Sequence, residues 1–402
     1  RYLSGSDSTA VASDIITEFV TGSDRIDLTA MALTSVSVAR LAGGASVVFA
    51  ETAAGAFQLF VAAGNVNATD IDATVGVFMI GSDSADTMIG SHIADPMIGG
   101  AGDDILTGGI GADAISGGAG RDTYRYGSFM DSSSTLGVDN LYDFTTGEDV
   151  IDIRPLSPST FSSAIQNITI LRTEDGSSIL FAGGSSIPQF ATSAVRRDIN
   201  AQDVLFTSAI NGPYGITMLG ATRSETMIGG ALGDNLYGRD GDDVLIGGGG
   251  GDGLYGEGGA DTFLYRAASE STVALSDIIF SFVSGTDKID LRQVRTGPND
   301  AFGIAYSGGF SYLFVDLGGD GVNDMRVILT NTRLEISDIL WAPAGMAEET
   351  PIKMVRPEVL PVEASANGAD VAIDLSGRDG RFMLHLDLDV GRGFYHGQDW
   401  YL

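Results

Sequence analysis

Residues 99–125 read GGAGDDILT, GGIGADAIS and GGAGRDTYR, three consecutive nonapeptides with no insertion between them. A second run, at residues 229–264, reads GGALGDNLY, GRDGDDVLI, GGGGGDGLY and GEGGADTFL. Self-similarity at a short fixed period is typical of solenoids, in which each repeat is one structural unit that stacks on its neighbours. The two runs therefore predict a solenoid built from nine-residue units.

The nonapeptides share glycine at positions 1, 2 and 4, an acidic residue at position 6 and an apolar residue at position 8. The same register extends backwards to residue 81 in the first run and to residue 220 in the second, although the glycines fade there. A flexible glycine-rich linker would not hold acidic and apolar residues in register. The position-6 acids are Asp86, Asp95, Asp104, Asp113 and Asp122 in the first run, and Glu225, Asp234, Asp243, Asp252 and Asp261 in the second.

These residue types fit calcium chemistry. Glycine reaches positive φ and lets the chain turn tightly with its carbonyl groups directed at one point. Aspartate supplies a hard anionic oxygen, and calcium binds about 6–8 oxygens at about 2.3–2.6 Å. One inward apolar residue contributes only about 1.5–3 kcal/mol, whereas ordering each backbone costs about 1–2 kcal/mol. The pattern predicts β-rolls that need several calcium ions to fold, with these glycines in the binding turns: Gly99, Gly102, Gly108, Gly111, Gly117, Gly120, Gly238, Gly241, Gly247, Gly250, Gly256 and Gly259.

The composition agrees with a cation-binding protein. The 402 residues contain 53 acidic and 22 basic side chains, a net charge of −31, which argues against nucleic acid and anionic membranes as partners. There is no cysteine and hence no disulfide framework. No apolar run of about 20 residues suggests a transmembrane helix. The hydrophobic fraction of 44% excludes a disordered acidic tail.

A second, larger repeat follows the frame D-x-[IL]-x-x-F-x-x-G-x-D-x-I-D-[LI], at residues 14–28, 139–153 and 277–291. Alternating β-branched residues after each copy predict strands, at 46–49, 57–62, 168–171, 178–181, 311–315 and 325–329. Each copy is expected to close on an apolar segment, at 75–79, 203–206 and 338–341. We therefore expect an all-β protein of tandem parallel β-rolls, each capped by a small β-sandwich that covers the open end of the solenoid.

Nonapeptides followed by this frame resemble the C-terminal RTX domain of serralysin-type metalloproteases. They are also similar to the R-modules of mannuronan C5-epimerases and to the RTX parts of some bacterial lipases and surface-layer proteins. The resemblance covers residues 1 to about 341 and implies calcium between turns two units apart, which pairs Asp104 with Asp122 and Asp234 with Asp252. It further implies calcium ligands in the frame, at Asp139, Asp143, Asp149, Asp277 and Asp287. Ser281 replaces the Asp143 ligand in the third copy, and Glu18 is the candidate in the first.

The repeats predict three modules. The first comprises residues 1–80, the second 81–206 (roll 81–125, cap 126–206) and the third 207–341 (roll 220–264, cap 265–341). The last position-6 acid precedes the second frame acid by 26 or 27 residues, and this spacing places the acid of the first copy before Arg1. We therefore expect the sequence to begin inside a module whose roll is missing, with Arg1-Tyr2 equivalent to Arg125-Tyr126.

The C-terminal residues differ in character. Four prolines, at 343, 351, 357 and 361, predict a linker over residues 342–366, and residues 384–390 alternate as a half-buried strand does, within a final segment 367–402. The ending DWYL at 399–402 resembles the export signal of type 1 secretion substrates; the alternative is an ordinary amphipathic terminus. With the rolls and the lack of cysteine, we favour export by the type 1 machinery to the cell surface or the medium, where calcium folds the rolls.

A separate acidic segment, DLGGDGVND at residues 316–324, has the D-x-x-x-D-G spacing of an EF-hand-type loop. Its third ligand position is Gly318, and no glutamate follows at the distance that such a loop requires. We therefore favour an acidic hairpin turn at this segment over a calcium loop.

Catalytic motifs are missing from the sequence. The three histidines, His92, His385 and His396, form no H-E-x-x-H helix, and no G-x-S-x-G motif occurs. The nine-residue period accounts for the aspartate pairs better than a glycosidase site does. We expect a non-catalytic calcium-binding array of a secreted bacterial protein with a structural, surface-layer or adhesive role, through self-assembly or cell-surface polysaccharide. The alternative is that the modules serve the export, folding and substrate attachment of an enzyme (metalloprotease, lipase or alginate epimerase) whose catalytic domain precedes residue 1.

Overall fold

The computed structural model describes residues 13–133, 136–156, 167–184, 187–206 and 215–341, together with the backbone of three strands between residues 371 and 401. Two compact units make up the chain, Arg1–Val355 and Arg356–Leu402. The linker predicted at 342–366 and the Arg1-Tyr2 equivalence lie outside the described residues. Helical structure in the described part consists of short 3₁₀ turns, at Ala68–Asp70, Ala201–Asp203, Ala268–Glu270 and Ile336–Asp338. None of the described helices could cross a membrane.

The first copy of the frame begins a three-stranded meander. The strands are β1 (Asp14–Ile16), β2 (Ile26–Asp27), β3 (Leu33–Leu41), β4 (Ala45–Thr52), β5 (Gly55–Val61) and β6 (Ile71–Asp72). Strands β3, β4 and β5 pair antiparallel, β5 returns to pair parallel with β1, and β6 pairs parallel with β2. The frame strand β1 thus lies in the same sheet as the meander, whereas β2 and β6 form a separate pair.

The second roll alternates between two parallel sheets, with one short strand per nonapeptide. One sheet contains β7 (Val77–Ile80), β9 (Pro96–Ala101), β11 (Ala114–Ala119) and β13 (Asp139–Leu141). The other contains β8 (Thr87–Ile89), β10 (Ile105–Thr107), β12 (Thr123–Arg125) and β14 (Val150–Asp152). Met97 pairs with Ile115, and Leu106 with Tyr124, so one coil of the solenoid takes two nonapeptides.

The cap of the second module continues both sheets of the roll. Its strands are β15 (Asn167–Arg172), β16 (Ser178–Gly184), β17 (Ile187–Ala194) and β18 (Val204–Leu205). Strands β15 to β17 form an antiparallel meander, in which β17 pairs parallel with β13, and β18 pairs parallel with β14. The cap therefore has two layers, as expected of a sandwich, and these layers are the two roll sheets themselves.

The third module repeats this arrangement. Its roll contains β19 (Thr217–Leu219), β20 (Thr226–Ile228), β21 (Asn235–Asp240), β22 (Val244–Ile246), β23 (Gly253–Gly258), β24 (Thr262–Leu264), β25 (Asp277–Phe280) and β26 (Lys288–Asp290). Its cap contains β27 (Ala301–Ser307), β28 (Phe310–Asp316), β29 (Met325–Thr330) and β30 (Ile339–Leu340). Residues 316–324 join the antiparallel strands β28 and β29, and Asp316 and Asp324 accept backbone N–H groups of this turn, from Gly321 and Leu317. This agrees with the hairpin interpretation of the segment.

Consecutive modules share one sheet. Strand β3 of the first meander pairs parallel with β7, the first strand of the second roll, and β15 pairs parallel with β19 in the same way. An 18-stranded sheet consequently runs without interruption through all three copies of the frame. The all-β fold of parallel rolls predicted from the sequence is confirmed.

The core follows the position-8 residues. Their side chains are at most 1% exposed in both rolls, at Met88, Met97, Leu106, Ile115, Tyr124, Met227, Leu236, Leu245, Leu254 and Phe263. One hydrophobic cluster joins them to the frame and cap residues across the modules. The inward direction predicted for position 8 therefore describes the solenoid core correctly.

Two details differ from the sequence expectation. One of the three strands in each meander was not predicted, namely β3, β17 and β27. In addition, the segment 75–79 was expected to close the first copy, but it contains most of β7 and opens the second roll, while β6 closes the first copy. Strands β3, β17 and β27 carry serine, threonine or glycine between their apolar residues, which weakens the strand pattern. Strand β7 is short and apolar, and hydrophobicity alone does not show which sheet neighbour it pairs with.

The C-terminal unit contains a small antiparallel sheet. Its strands are β31 (Val371–Asp374), β32 (Met383–Leu388) and β33 (Trp400–Tyr401), with β32 pairing with both others. Strand β32 covers most of the segment 384–390, for which alternation predicted a strand. The assignment of residues 399–402 as an export signal stays a prediction.

The Gly118→Ala substitution should show how tightly the coils stack. Gly118 has φ +103°, and an added Cβ would collide with the carbonyl oxygen of Gly100 in the previous coil. We expect Gly118→Ala to cost about 1–3 kcal/mol for overpacking in addition to about 1–3 kcal/mol of backbone strain. Gly22 has φ +77° and open space around it, so Gly22→Ala should show the strain alone. Denaturant unfolding of the calcium-loaded protein measures both, and equal losses would contradict tight stacking at Gly118.

Candidate metal centres

The position-6 carboxylates form rows along each roll, in which each side chain after the first binds the backbone of the previous coil. Asp104 Oδ1 accepts the N–H of Asp86 at 2.7 Å, and Asp122 Oδ1 accepts the N–H of Asp104 at 2.9 Å. The same contact joins Asp234 N–H to Asp252 Oδ1 at 2.7 Å. The structure thus brings together the pairs that the sequence placed two units apart, Asp104 with Asp122 and Asp234 with Asp252.

Four frame aspartates extend these rows by one coil. Asp139 Oδ1 accepts the N–H of Asp113, and Asp149 Oδ1 accepts the N–H of Asp122, both at 2.9 Å. Asp277 and Asp287 accept the N–H groups of Asp252 and Asp261, both at 3.0 Å. All four frame carboxylates are buried. They therefore occupy the structural place of position 6 in a coil whose turn has a different length.

Eight of these buried carboxylates have a second oxygen that makes no hydrogen bond to any described residue. The free atom is Oδ2 in every case, at Asp104, Asp113, Asp122, Asp139, Asp243, Asp252, Asp261 and Asp277. Four of the residues lie in each module, at corresponding positions. An ionised carboxylate buried without a compensating charge costs several kcal/mol. Such an oxygen needs either a proton or a cation beside it.

The other position-6 and frame acids use both oxygens. Asp95 accepts the N–H groups of Val77 and Ser91, and Asp149 Oδ2 accepts the N–H of Thr145 at 2.7 Å. Equivalent contacts satisfy Asp86, Asp234 and Asp287. Their role as metal ligands stays a prediction, which these contacts do not favour.

The conformation of the turn explains the difference between the two sets. In the six nonapeptides whose acid has a free oxygen, positions 2 and 4 both have positive φ, as at Gly118 (+103°) and Gly120 (+133°). In the units that begin at 81, 90, 220 and 229, position 4 is Ser84, Ile93, Arg223 or Leu232. There the N–H of position 2 donates to the acid instead. Glycine at position 4 is thus the sequence signal that separates the two kinds of turn, and the sequence analysis did not use it.

Position-1 glycines let each acid approach the backbone of its own turn. A Cβ added to Gly99, Gly108 or Gly117 would collide with the free Oδ2 of the acid five residues later, and Gly238, Gly247 and Gly256 repeat this arrangement. Within the described residues, no three His, Cys, Asp or Glu side chains group together. A cation at these turns would therefore depend on single carboxylates and backbone carbonyl oxygens. An oxygen-only set of hard ligands suits calcium and does not suit zinc.

Asp143 makes contacts of a different kind. It accepts the N–H groups of Gly117 at 2.9 Å and Gly118 at 2.8 Å, and the hydroxyl of Tyr124 at 3.2 Å. Asp143 thus binds the backbone N–H groups of the last turn of the roll. Ser281, at the same frame position in the third module, has φ +59°, and Glu18 in the first is exposed. A ligand role for Asp143 stays a prediction.

Burial raises the pKa of the carboxyls in the rows. Desolvation is the largest cause throughout, followed in part by the charge of neighbouring acids, and it raises the pKa of Asp104, Asp243 and Asp261 to about 6. For Asp252 the pKa rises to about 7, and for Asp277 to about 8. The pKa of Asp139 also rises, through burial and the charge of Asp113. The metal-free rolls thus hold their carboxylates in an environment that disfavours the ionised form.

Sequence analysis missed two buried arginines, Arg40 and Arg172. Arg40 donates to Asp86 Oδ1 at 3.1 Å, so this acid has a cation from the protein itself. Alternation in β3 places Arg40 on the inward face with Val36 and Val38, and this pattern was the available signal.

The comparisons with known proteins match residues in both rolls and their caps. The model of the family described as Peptidase M10 serralysin C terminal matches residues 89–185 and 220–341, more than half of the chain. Among solved structures, the AlgE6R3 subunit of the Azotobacter vinelandii mannuronan C5-epimerase is 27% identical over 34% of this chain and 85% of its own, with a TM-score of 0.28. The AlgE6R2 subunit of the same enzyme is 27% identical over 33% of this chain and 90% of its own, with a TM-score of 0.25. The extracellular lipase LipA from Serratia marcescens is 17% identical over 71% of this chain and 44% of its own, with a TM-score of 0.21. No curated protein matches the chain.

Two asparagine substitutions should separate the two sets of acids. Asp113 has a free Oδ2, whereas both oxygens of Asp95, in the previous coil, accept backbone N–H groups. We expect Asp113→Asn to remove at least one bound calcium per chain at saturation, measured by isothermal titration calorimetry. Asp95→Asn should keep the calcium stoichiometry and lose about 1–3 kcal/mol of stability, because one backbone donor loses its acceptor. Equal calcium loss in both variants would contradict the division.

The stability of the rolls should depend on pH with opposite signs with and without calcium. The folded pKa values lie above the ordinary value of 3.8, so the metal-free fold binds more protons than the unfolded chain. Its stability should therefore increase as pH falls from about 8 towards 4. With calcium bound, the carboxylates must stay ionised, so stability should decrease over the same range. Far-UV circular dichroism in chelator should show β signal appearing as pH falls from about 8 towards 4, and denaturant titrations in calcium should show stability falling over the same range. Parallel trends would rule out these carboxylates as ligands.

Proposed function

Because the chain belongs to the Peptidase M10 serralysin C-terminal family, whose RTX-type domains are calcium-binding modules of secreted proteins, we propose that it is a non-catalytic array that folds when it binds calcium outside the cell. One observation carries this proposal. Eight buried carboxylate oxygens, four in each module, lack a hydrogen-bond partner among the described residues, and the six that belong to nonapeptides lie against the position-1 glycine of their own turn. The rolls are thereby incomplete without a cation.

The residues that would hold calcium follow from these contacts. In each acid, Oδ1 is fixed by the N–H of the previous coil, which aims Oδ2 at the turn. The position-4 glycines give the turn its left-handed conformation, and the position-1 glycines leave room beside Oδ2. Bound calcium supplies the positive charge that the buried carboxylates lack. A site filled at 100 times its dissociation constant adds about 2.7 kcal/mol, so several sites would decide whether the rolls fold.

Calcium dependence of this kind suits export. In a compartment with little calcium, the buried carboxylates would repel one another and resist desolvation, so the chain would stay unfolded and fit for translocation by type 1 machinery. Calcium outside the cell would then fold it. The net charge of −31 and the absence of cysteine fit such a life outside the cell, where calcium replaces disulfides as the stabilising link.

The continuous sheet supports a structural or adhesive role. Modules that share strand pairing at each junction hold a fixed spacing, which a surface-layer or matrix component requires. Self-assembly and cell-surface polysaccharide are the partners we propose for such an array. The half-buried Tyr312, whose ring lies 6.3 Å from those of Phe310 and Phe314, is the candidate contact for a sugar.

The family also favours a second function. Its description refers to the C-terminal part of a peptidase, and the modules would then serve the export, folding and substrate attachment of a catalytic domain in the same polypeptide. The reading frame that contains residues 1–402 separates the two functions: a catalytic domain encoded upstream would favour the second.

A calcium titration tests the proposed function. We expect the chain in chelator to lack β structure and to be expanded, and to gain β signal and compact only with calcium, with magnesium as the control. Far-UV circular dichroism and size-exclusion chromatography measure both changes. A chain that is already compact in chelator and does not respond to calcium would overturn the proposal. Light scattering at millimolar calcium then tests self-assembly, since a persistent monomer would argue against a surface layer.

A further inference from the structure

Arg40 and Arg172 lie at the junctions between modules. Each is on the cap strand that pairs with the next roll, β3 for Arg40 and β15 for Arg172, and each faces the core. Arg40 is 5% exposed and Arg172 is 1% exposed. A guanidinium group is rarely buried to this extent without a specific set of acceptors.

Each arginine acts together with an asparagine of the same cap. Arg172 Nη2 donates to Asn200 Oδ1, and Arg172 Nη1 donates to the carbonyl oxygen of Thr226 in the next roll, both at 2.7 Å. Asn200 Oδ1 also accepts the N–H of Ile228, at 3.0 Å. The pair therefore binds one carbonyl and one N–H group of strand β20.

The first junction has the same arrangement. Arg40 Nη2 donates to Asn67 Oδ1 at 2.6 Å, and Asn67 Oδ1 accepts the N–H of Ile89 in β8 at 3.1 Å. Here Nη1 of the arginine donates to Asp86 Oδ1, where Arg172 contacts a carbonyl. Both pairs thus bind the start of the following roll.

The groups that these pairs bind belong to open strand edges. Strand β8 pairs with β10 and β20 pairs with β22, and each is the outermost strand of its five-stranded sheet. The other edge of each strand presents backbone groups that would bind an earlier coil if the roll began one coil sooner. An uncovered edge of this kind leaves backbone N–H and carbonyl groups without hydrogen bonds and promotes pairing with another strand or chain. The arginine and asparagine side chains stand in for the missing strand.

The third cap provides an internal comparison. In the antiparallel meanders, the cross-strand partner of Arg40 is Ser46 and that of Arg172 is Ser178. In the third cap the equivalent position is Tyr306, opposite Ser311. The capping residue of the 3₁₀ turn, Asn67 or Asn200 in the other caps, is Glu335 there. Tyr306 donates to the carbonyl oxygen of Leu334 in its own cap, and the Glu335 side chain is 57% exposed. No roll follows this cap within the described residues.

We propose that the buried Arg–Asn pair is a docking site for the first coil of an RTX roll, and that it joins consecutive modules without calcium. The ligand it recognises is the open edge of a short parallel strand that presents one N–H group and one acceptor oxygen, the carbonyl oxygen of Thr226 for Arg172 and the carboxylate of Asp86 for Arg40. The caps with Arg40–Asn67 and Arg172–Asn200 accept a following roll. The cap with Tyr306 and Glu335 lacks the site and ends the array.

The first coils have the composition that this role requires. Their acids, Asp86 and Asp95 in one roll and Asp234 in the other, have both oxygens engaged by donors of the protein. Glu225 binds the N–H of Ala221 and forms an ion pair with Arg223 at 2.7 Å. A coil that needs no metal can therefore be held by the cap alone. It then presents the ordered edge on which the calcium-binding coils stack.

Amide hydrogen exchange on the full chain at saturating calcium tests the docking site. Methionine matches arginine roughly in length and has no donor. We expect Arg172→Met to speed exchange of the Ile228 amide about tenfold and to leave the Ile89 amide within about twofold. Arg40→Met should do the reverse. Arg333→Met, at a 61% exposed side chain of the third cap, is the control and should change neither amide.

The remaining outcomes decide the proposal. Raising calcium a further tenfold should not restore protection at Ile228 in Arg172→Met, since no calcium ligand has been lost. If Arg172→Met does not fold, Arg172→Lys keeps the charge but cannot reach both acceptors, and it should show an intermediate exchange rate at Ile228. Wild-type exchange at Ile228 in whichever variant folds, or equal acceleration at Ile89 and Ile228, would overturn the docking site.

Discussion

The whole array depends on buried aspartates whose two carboxylate oxygens make different contacts. One oxygen binds the N–H of the previous coil and so links coil to coil along the solenoid. The second oxygen is left without a partner in the turns that have glycine at position 4. The hydrogen bond that orders the stack thus also buries a charge. The contact that links the coils is therefore the same one that places an unpartnered oxygen in the core.

Much of this could be predicted from the sequence, because a fixed period constrains geometry directly. The nine-residue spacing predicted the coils and the position-8 residues predicted the core. Strands were predicted after the frame, whereas the strands within it that extend each roll, such as β13 and β14, were not. Hydrophobicity could not show that β7 belongs to the second roll, since pairing partners depend on contacts far apart in the sequence. Asp95 and Asp104 both occupy position 6, and the residue at position 4, Ile93 or Gly102, distinguishes the turn that satisfies the second oxygen from the turn that does not.

The arginines illustrate a second limit of pattern reading. An inward position in an alternating strand is normally apolar, so Arg40 and Arg172 break the local rule where the modules meet. Such violations are expected at sites that do something other than pack. Their partners, Asn67 and Asn200, lie 27 and 28 residues further along the chain and could not be identified without the fold.

The parallel pairing of β3 with β7 and of β15 with β19 has an evolutionary consequence. The caps of the first and second modules each present to the next roll a strand with the direction and spacing of a roll strand. A gene segment that encodes one roll and its cap can therefore be duplicated or deleted in frame without creating a new kind of interface. Recombination between repeats would then change the length of the array in whole modules. Arrays of different length can thus arise from a single ancestral unit, while the final cap fixes where each of them stops.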